Sequence, residues 1–119
     1  MTSAKTVLII DDDENIREMM RDFLQSHGYN VLLADDGLKG MDMIKEERVD
    51  LVILDVKLPY ISGIGLAEIA CKTRPDLPVI CITGHGDTAK NIALEKVCNV
   101  FSKPFDLKEM LQAVKKQLE

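Results

Sequence analysis

Acidic side chains stand where two apolar segments of this 119-residue chain end. The run Val7-Leu8-Ile9-Ile10 leads directly into Asp11, Asp12 and Asp13, and Asp55 follows a second apolar run, LVIL. Each carboxylate raises the cost of ionising its neighbours, so such a group needs a compensating charge. Oxygen-only ligands select a hard cation, and Mg²⁺ is usually held by one or two carboxylates, waters and a phosphoryl group. The residue types therefore predict a site for Mg²⁺ and phosphate.

Two donors of complementary chemistry accompany later apolar runs. Thr83 ends the run PVICIT, and Lys103 follows NVFS. A hydroxyl and an ammonium are suited to bind phosphoryl oxygens, because phosphoryl transfer depends mainly on positioning and on neutralising charge. Carboxylates also serve as covalent phosphoryl acceptors. Asp55 stands alone at the end of its run, and we assign it as the acceptor.

The elements that must position these residues alternate along the chain. Short segments that are apolar on successive residues predict strands buried on both faces, at Thr6–Ile10, Asn30–Ala34, Asp50–Leu54, Pro78–Thr83 and Cys98–Ser102. Between and after the strands, apolar residues spaced three and four positions apart predict helices. The clearest apolar stripes run from Ile16 to Leu24 and from Leu107 to Leu118, and weaker patterns lie at Leu38–Lys45, Leu66–Lys72 and Asp87–Glu95. Asp13 precedes the first helix and is predicted to cap it.

This alternation predicts an α/β fold with five βα units. Strands too apolar to face water imply a parallel sheet with helices on both faces. Right-handed crossovers favour a flavodoxin-like, doubly wound, five-stranded sheet of strand order 2-1-3-4-5. In such sheets ligands bind at the carboxyl ends of the strands, where strand order reverses. Asp11, Asp12, Asp55, Thr83 and Lys103 are expected to converge there.

Composition limits the classes of function. The net charge of −5 argues against direct nucleic-acid binding, which calls for clustered Lys and Arg. No apolar stretch approaches the ~20 residues of a membrane span, and the polar start is no signal peptide. The three cysteines never occur as C-x-x-C, so neither a disulfide framework nor a zinc site is indicated. We expect a cytoplasmic chain with a single domain over residues 1–119 and no effector domain.

Four stretches together resemble the receiver domain of two-component response regulators: LIIDDDE, VILDVKLPYISG, ICITGHGD and FSKPF. The resemblance implies that Asp12 ligates Mg²⁺ directly, Asp11 through water, and that Asp55 is phosphorylated. It further implies that the backbone carbonyl of Lys57 completes the metal's protein ligands and that Thr83 and Lys103 bind phosphoryl oxygens. The implied partner is a sensor histidine kinase or a phosphotransfer protein, whose phosphohistidine supplies the phosphoryl group.

The second half of the chain departs from this family's pattern. The segment between Thr83 and Lys103 is shorter than usual, which predicts a short or irregular fourth helix. Receivers commonly carry Tyr or Phe three residues before the Lys, as a rotamer switch, whereas this chain has Val100 and its nearest aromatic is Phe101. Switching by order and disorder of the fourth helix is the alternative. A homodimer through the fourth helix, fifth strand and fifth helix is left open.

Two other functions share some of these features. Asp11-x-Asp13 after a strand, with a hydroxyl and a distant Lys, partly matches a haloacid-dehalogenase-like phosphatase fragment. Asn15 stands where such enzymes tend to have Thr, and the chain is too short for a cap domain. A flavodoxin-type electron carrier would need hydroxyls and glycines in the first loop to hold a phosphate, and DDDEN repels one.

Overall fold

A computed structural model of the chain describes residues 4–46, 48–56, 63–83, 99–102 and 106–118. Five parallel strands form one sheet of order β2-β1-β3-β4-β5. The strands are β1 (Thr6–Ile10), β2 (Asn30–Ala34), β3 (Leu51–Asp55), β4 (Val79–Thr83) and β5 (Asn99–Ser102). The predicted doubly wound, flavodoxin-like sheet is confirmed, with the strand order reversing between β1 and β3.

Helices cover both faces of the sheet. They are α1 (Glu14–Ser26), α2 (Gly37–Glu46), α3 (Gly63–Thr73) and a last helix (Leu107–Leu118). One apolar cluster joins α2 and α3 to one side of the sheet, and a second joins α1 and the last helix to the other. Along β1, Leu8 and Ile10 belong to the first cluster while Val7 and Ile9 belong to the second. This two-sided burial explains why the strands are apolar on successive residues.

Local sequence signals set both ends of α1. The Asp13 carboxylate accepts hydrogen bonds from the backbone N–H groups of Asn15 (2.9 Å) and Ile16 (3.2 Å), which confirms Asp13 as the helix cap. At the other end Gly28 has a φ of 91°, in the left-handed region that suits glycine. Tyr29 N–H then donates to the Leu24 carbonyl (3.2 Å), which returns the chain towards β2.

The helix α2 packs unusually close to β1. Asp36 caps α2, because its carboxylate accepts a hydrogen bond from Lys39 N–H at 2.8 Å. A Cβ built on Gly40 would clash with Ile10 Cδ1 and lie 2.9 Å from Ile10 Cγ1. Glycine at position 40 therefore permits this approach of helix to strand.

Some predicted boundaries shift by a residue. Asp55 lies inside β3 instead of after it, because its backbone stays in register with Ile82 of β4. Asp50, predicted to open β3, precedes the strand and exchanges two hydrogen bonds with Thr6: Asp50 N–H to the Thr6 carbonyl and Thr6 N–H to Asp50 Oδ2, both 2.8 Å. The strand β4 begins one residue later than predicted, and Cys98, predicted to open β5, lies outside the described residues.

The fourth helix, predicted over Asp87–Glu95, lies outside the described residues. Within the part of the chain that the structure describes, no helix has the length and apolar character needed to cross a membrane.

Candidate functional site

Parallel pairing of β1 with β3 brings three carboxylates together at the carboxyl edge of the sheet. Ile10 is in register with Leu54, so the residues that follow them, Asp11 in the loop after β1 and Asp55 at the end of β3, meet at this edge. With Asp12 they offer carboxylate oxygens that all lie within 4.8 Å of one another. Asp11 and Asp55 are buried, with exposed fractions of 0% and 4%, whereas Asp12 is exposed. The three aspartates predicted to converge do so, and we call them the acidic cluster.

The main chain of the β1–α1 loop is held at several points. Asp11 N–H donates to the Ala34 carbonyl of β2 (3.2 Å), and Asp11 Oδ1 accepts from Asp13 N–H (2.8 Å). Arg17, from the second turn of α1, donates from Nη1 to the Asp11 carbonyl at 2.6 Å. The side chain of Asp13 caps α1, so the DDD triplet divides into two members of the acidic cluster and one helix cap.

The acidic cluster has the chemistry and dimensions of a site for a small hard cation. Two oxygens on opposite sides of one Mg²⁺ are about 4.2 Å apart, because each Mg²⁺–O distance is about 2.1 Å. The observed upper limit of 4.8 Å is close to this span. Two unit charges 4.8 Å apart repel by about 3.5 kcal/mol at an effective dielectric of 20. A divalent cation would remove this repulsion between the buried Asp11 and Asp55, so the residues fit Mg²⁺.

Thr83 lies at the same edge of the sheet. It ends β4, is fully buried, and follows Ile82, which is in register with Asp55. Val56 N–H donates to the Ile82 carbonyl at 2.9 Å, so the backbone that follows β3 stays hydrogen-bonded to β4 one residue beyond Asp55. Lys57 and Lys103, the other predicted site residues, lie outside the described residues, and their roles stay predictions.

The two residues nearest the family's usual aromatic position lie on opposite faces of the sheet. Val100 is in register with Cys81 and packs against the cluster under α2 and α3. Phe101 is in register with Ile82 and packs against the cluster under α1 and the last helix. Phe101 therefore does not replace the missing aromatic at position 100, because alternation along the strand directs it to the other side.

Sequence reasoning missed Arg17 as a neighbour of the site. The helical pattern places Arg17 outside the apolar stripe of α1, as for any solvated charge. Its hydrogen bond to the Asp11 carbonyl depends on the conformation of the intervening loop. No residue type or spacing in the sequence signals a bond from a side chain to a particular backbone oxygen.

Comparison with known proteins assigns the chain to one family. The model of the response regulator receiver domain matches residues 7–115. The chain belongs to the response regulator receiver family. These comparisons give no support to the haloacid-dehalogenase alternative, and the chain is accordingly a receiver module of two-component signalling.

Among curated proteins, the receiver is similar to the response regulator MprA. It is 36% identical over 107 residues to MprA of Mycobacterium avium and of Mycobacterium tuberculosis, a match covering 88% of this chain. The match covers 47% and 46% of those relatives, so the chain spans about half the length of the curated proteins it matches.

Solved receiver structures share the whole fold. A CheY-like receiver domain protein from Methanospirillum hungatei is 30% identical with a TM-score of 0.91, over 98% of this chain and 94% of that one. The response regulator TrrA from Thermotoga maritima, solved in complex with Mg²⁺ and BeF, is 31% identical with a TM-score of 0.87. That match covers 95% of this receiver and 98% of TrrA.

Proposed function

We propose that this receiver accepts a phosphoryl group on Asp55 from a phosphohistidine of a sensor histidine kinase or phosphotransfer protein. The observation that carries the proposal is the acidic cluster, in which Asp11, Asp12 and Asp55 bring carboxylate oxygens within 4.8 Å. Of these, Asp55 ends the central strand β3, between the strands that carry Asp11 and Thr83. This position gives Asp55 access to groups on both neighbouring strands.

Each residue has a defined part in the transfer. A carboxylate oxygen of Asp55 attacks the phosphorus atom, the P–N bond to the donor histidine breaks, and the imidazole leaves with its electron pair. Asp11, Asp12, Asp55 and the Lys57 carbonyl would hold Mg²⁺, which supplies charge neutralisation for the phosphoryl oxygens. Thr83 and Lys103 would donate to the remaining oxygens. The similarity to TrrA, solved with Mg²⁺ and BeF, supports this assignment.

The proposed role is regulatory, with at most catalysis of the receiver's own phosphorylation and dephosphorylation. Phosphorylation would alter a protein-interaction face in the cytoplasm. The proposal leaves open a homodimer through the fourth helix, β5 and the last helix.

Intact-mass spectrometry with acetyl phosphate as donor tests the proposal. We expect the wild type to gain the mass of one phosphoryl group in Mg²⁺ and none in EDTA, and Asp55→Asn to gain none. Asp50→Asn is the matched control, because Asp50 precedes the same strand at the opposite edge of the sheet, and it should be modified like the wild type.

Equal modification of the wild type and Asp55→Asn would contradict the proposal. So would continuous hydrolysis of p-nitrophenyl phosphate that Asp11→Asn abolishes and Asp55→Asn leaves intact, since that pattern belongs to a phosphatase using Asp11.

A further inference from the structure

Arg17 connects α1 to the loop that carries the acidic cluster. Its Nη1 donates to the Asp11 carbonyl at 2.6 Å, and its backbone N–H donates to the Asp13 carbonyl at 3.0 Å. A hydrogen bond from a charged donor is shorter and stronger than one between neutral groups. The backbone bond is the first bond of the helix and is independent of the side chain, so the guanidinium of Arg17 holds the loop through the Asp11 carbonyl alone.

The peptide between Asp11 and Asp12 sets the backbone position from which the Asp12 carboxylate extends. Its carbonyl is the oxygen that Arg17 binds, and the preceding N–H of Asp11 is bound to the Ala34 carbonyl of β2. Asp12 itself is exposed, so the surrounding core does not immobilise its side chain. Rotation of this peptide would move the Asp12 carboxylate relative to Asp11 and Asp55.

Arg17 also lines a cleft of about 350 Å³ together with Glu14, Glu18, Leu33, Asp35 and Lys39. The pKa of Asp35 is lowered chiefly by a hydrogen bond from Lys39, with a smaller contribution from the charge of Arg17. Lys39 pairs with Asp35 at 3.1 Å and is 65% exposed. The cleft therefore has two cations, of which Arg17 binds the loop of the acidic cluster and Lys39 binds Asp35.

We propose that Arg17 is a positioning residue for Mg²⁺ binding, which it promotes by fixing the Asp11–Asp12 peptide. Two effects of Arg17 oppose each other: its charge disfavours a nearby cation, whereas its bond to the Asp11 carbonyl preorganises the ligands. Positioning dominates because the bond is direct, while the charge is partly offset by the carboxylates of the cleft. Loss of a partner that orients metal ligands typically weakens metal affinity 10- to 100-fold, and we expect about tenfold here.

Magnesium titrations of three variants test this role, using calorimetry for affinity and melting in EDTA for folding. We expect Arg17→Met to weaken Mg²⁺ binding about tenfold. Arg17→Lys keeps the charge but not the guanidinium fork, and should fall between Arg17→Met and the wild type. Lys39→Met removes the other cation of the cleft and should bind Mg²⁺ at least as tightly as the wild type. Phosphorylation of Arg17→Met by acetyl phosphate should need a higher Mg²⁺ concentration than that of the wild type. At saturating Mg²⁺ it should reach the wild-type extent.

The outcomes separate this inference from the proposed function on which it rests. If the wild type binds no Mg²⁺, the proposed function fails. If the wild type binds Mg²⁺ and Arg17→Met binds it equally or more tightly, the inference fails. Arg17 would then affect only the local charge or the stability of the fold. A lower melting temperature in EDTA with unchanged affinity also overturns it. If Arg17→Met does not fold, the Mg²⁺ affinity of Arg17→Lys is compared with that of the wild type instead. Equal affinities would refute the positioning role of Arg17.

Discussion

Asp11 and Asp55 are neighbours because Ile10 and Leu54 are register partners in parallel strands. Their carboxylate oxygens, with that of Asp12, lie within 4.8 Å, although Asp55 comes from β3 and both Asp11 and Asp12 come from the loop after β1. Formation of the β1–β3 pair therefore assembles the acidic cluster, and the repulsion within the cluster opposes that pairing. Stability and metal binding are linked at this edge of the sheet.

Magnesium should stabilise the receiver. A ligand that binds the folded chain alone at ten times its dissociation constant adds about 1.4 kcal/mol to the free energy of unfolding. For a domain of this size, that corresponds to a rise of several degrees in Tm. Thermal melting in EDTA and in millimolar Mg²⁺, at matched ionic strength, measures the rise. A Tm indifferent to Mg²⁺ would count against the metal assignment.

Removing one carboxylate should have opposite effects with and without metal. We expect Asp12→Asn to melt at or above the wild-type temperature in EDTA, because repulsion in the acidic cluster falls, and to lose most of the Mg²⁺-dependent rise. Asp22→Asn is the control, since Asp22 is an exposed carboxylate of α1 paired with Arg21. It should keep the full response to Mg²⁺. An Asp12→Asn variant with a wild-type response would show that Asp12 is no ligand.

The cap of α1 should be separable from the metal site. Replacing Asp13 with Ala removes the acceptor for two backbone N–H groups and should cost about 1 kcal/mol in urea unfolding. Asp13→Asn retains a good capping residue and should lose much less. Both variants should bind Mg²⁺ like the wild type by calorimetry. A large loss of Mg²⁺ affinity in both variants would place Asp13 among the ligands instead.

Gly40→Ala tests the contact between α2 and β1. Alanine favours helix by about 1 kcal/mol over glycine, but its Cβ would meet Ile10 Cδ1, and overpacking costs about 1 to 3 kcal/mol. We expect net destabilisation in urea unfolding. In a protein that also carries Ile10→Val, which lacks Cδ1, Gly40→Ala should lower the free energy of unfolding by less, or raise it. Equal effects of Gly40→Ala in both backgrounds would show that this contact does not limit the packing.

The architecture was predictable because sequence pattern and tertiary environment agree. Strands buried on both faces are apolar on successive residues, and this feature located all five strands to within a residue. At β3 the one-residue errors arise where side-chain polarity and backbone pairing disagree. Asp55 has a polar side chain but remains in the β3–β4 ladder, and Asp50 precedes β3 and is hydrogen-bonded to Thr6.

The acidic cluster was predictable for a topological reason, and the contacts around it were not. Once the strand order is known, Asp11 just after β1 and Asp55 at the end of β3 must meet. The bond from Arg17 to the Asp11 carbonyl depends on the rotamer of a long side chain and on the path of the loop. Neither property leaves a pattern in the sequence.

The identity of the phosphorylated residue is the most direct test of the account. Borohydride reduces an acyl phosphate of aspartate to homoserine, and trypsin should release the segment from Val49 to Lys57, which contains Asp50 and Asp55. After treatment with acetyl phosphate and Mg²⁺, fragmentation of this peptide should place homoserine at position 55, with Asp50 as the internal control. Homoserine at Asp50, at Asp11 or Asp12, or at no aspartate while the intact protein gains a phosphoryl group would contradict the assignment.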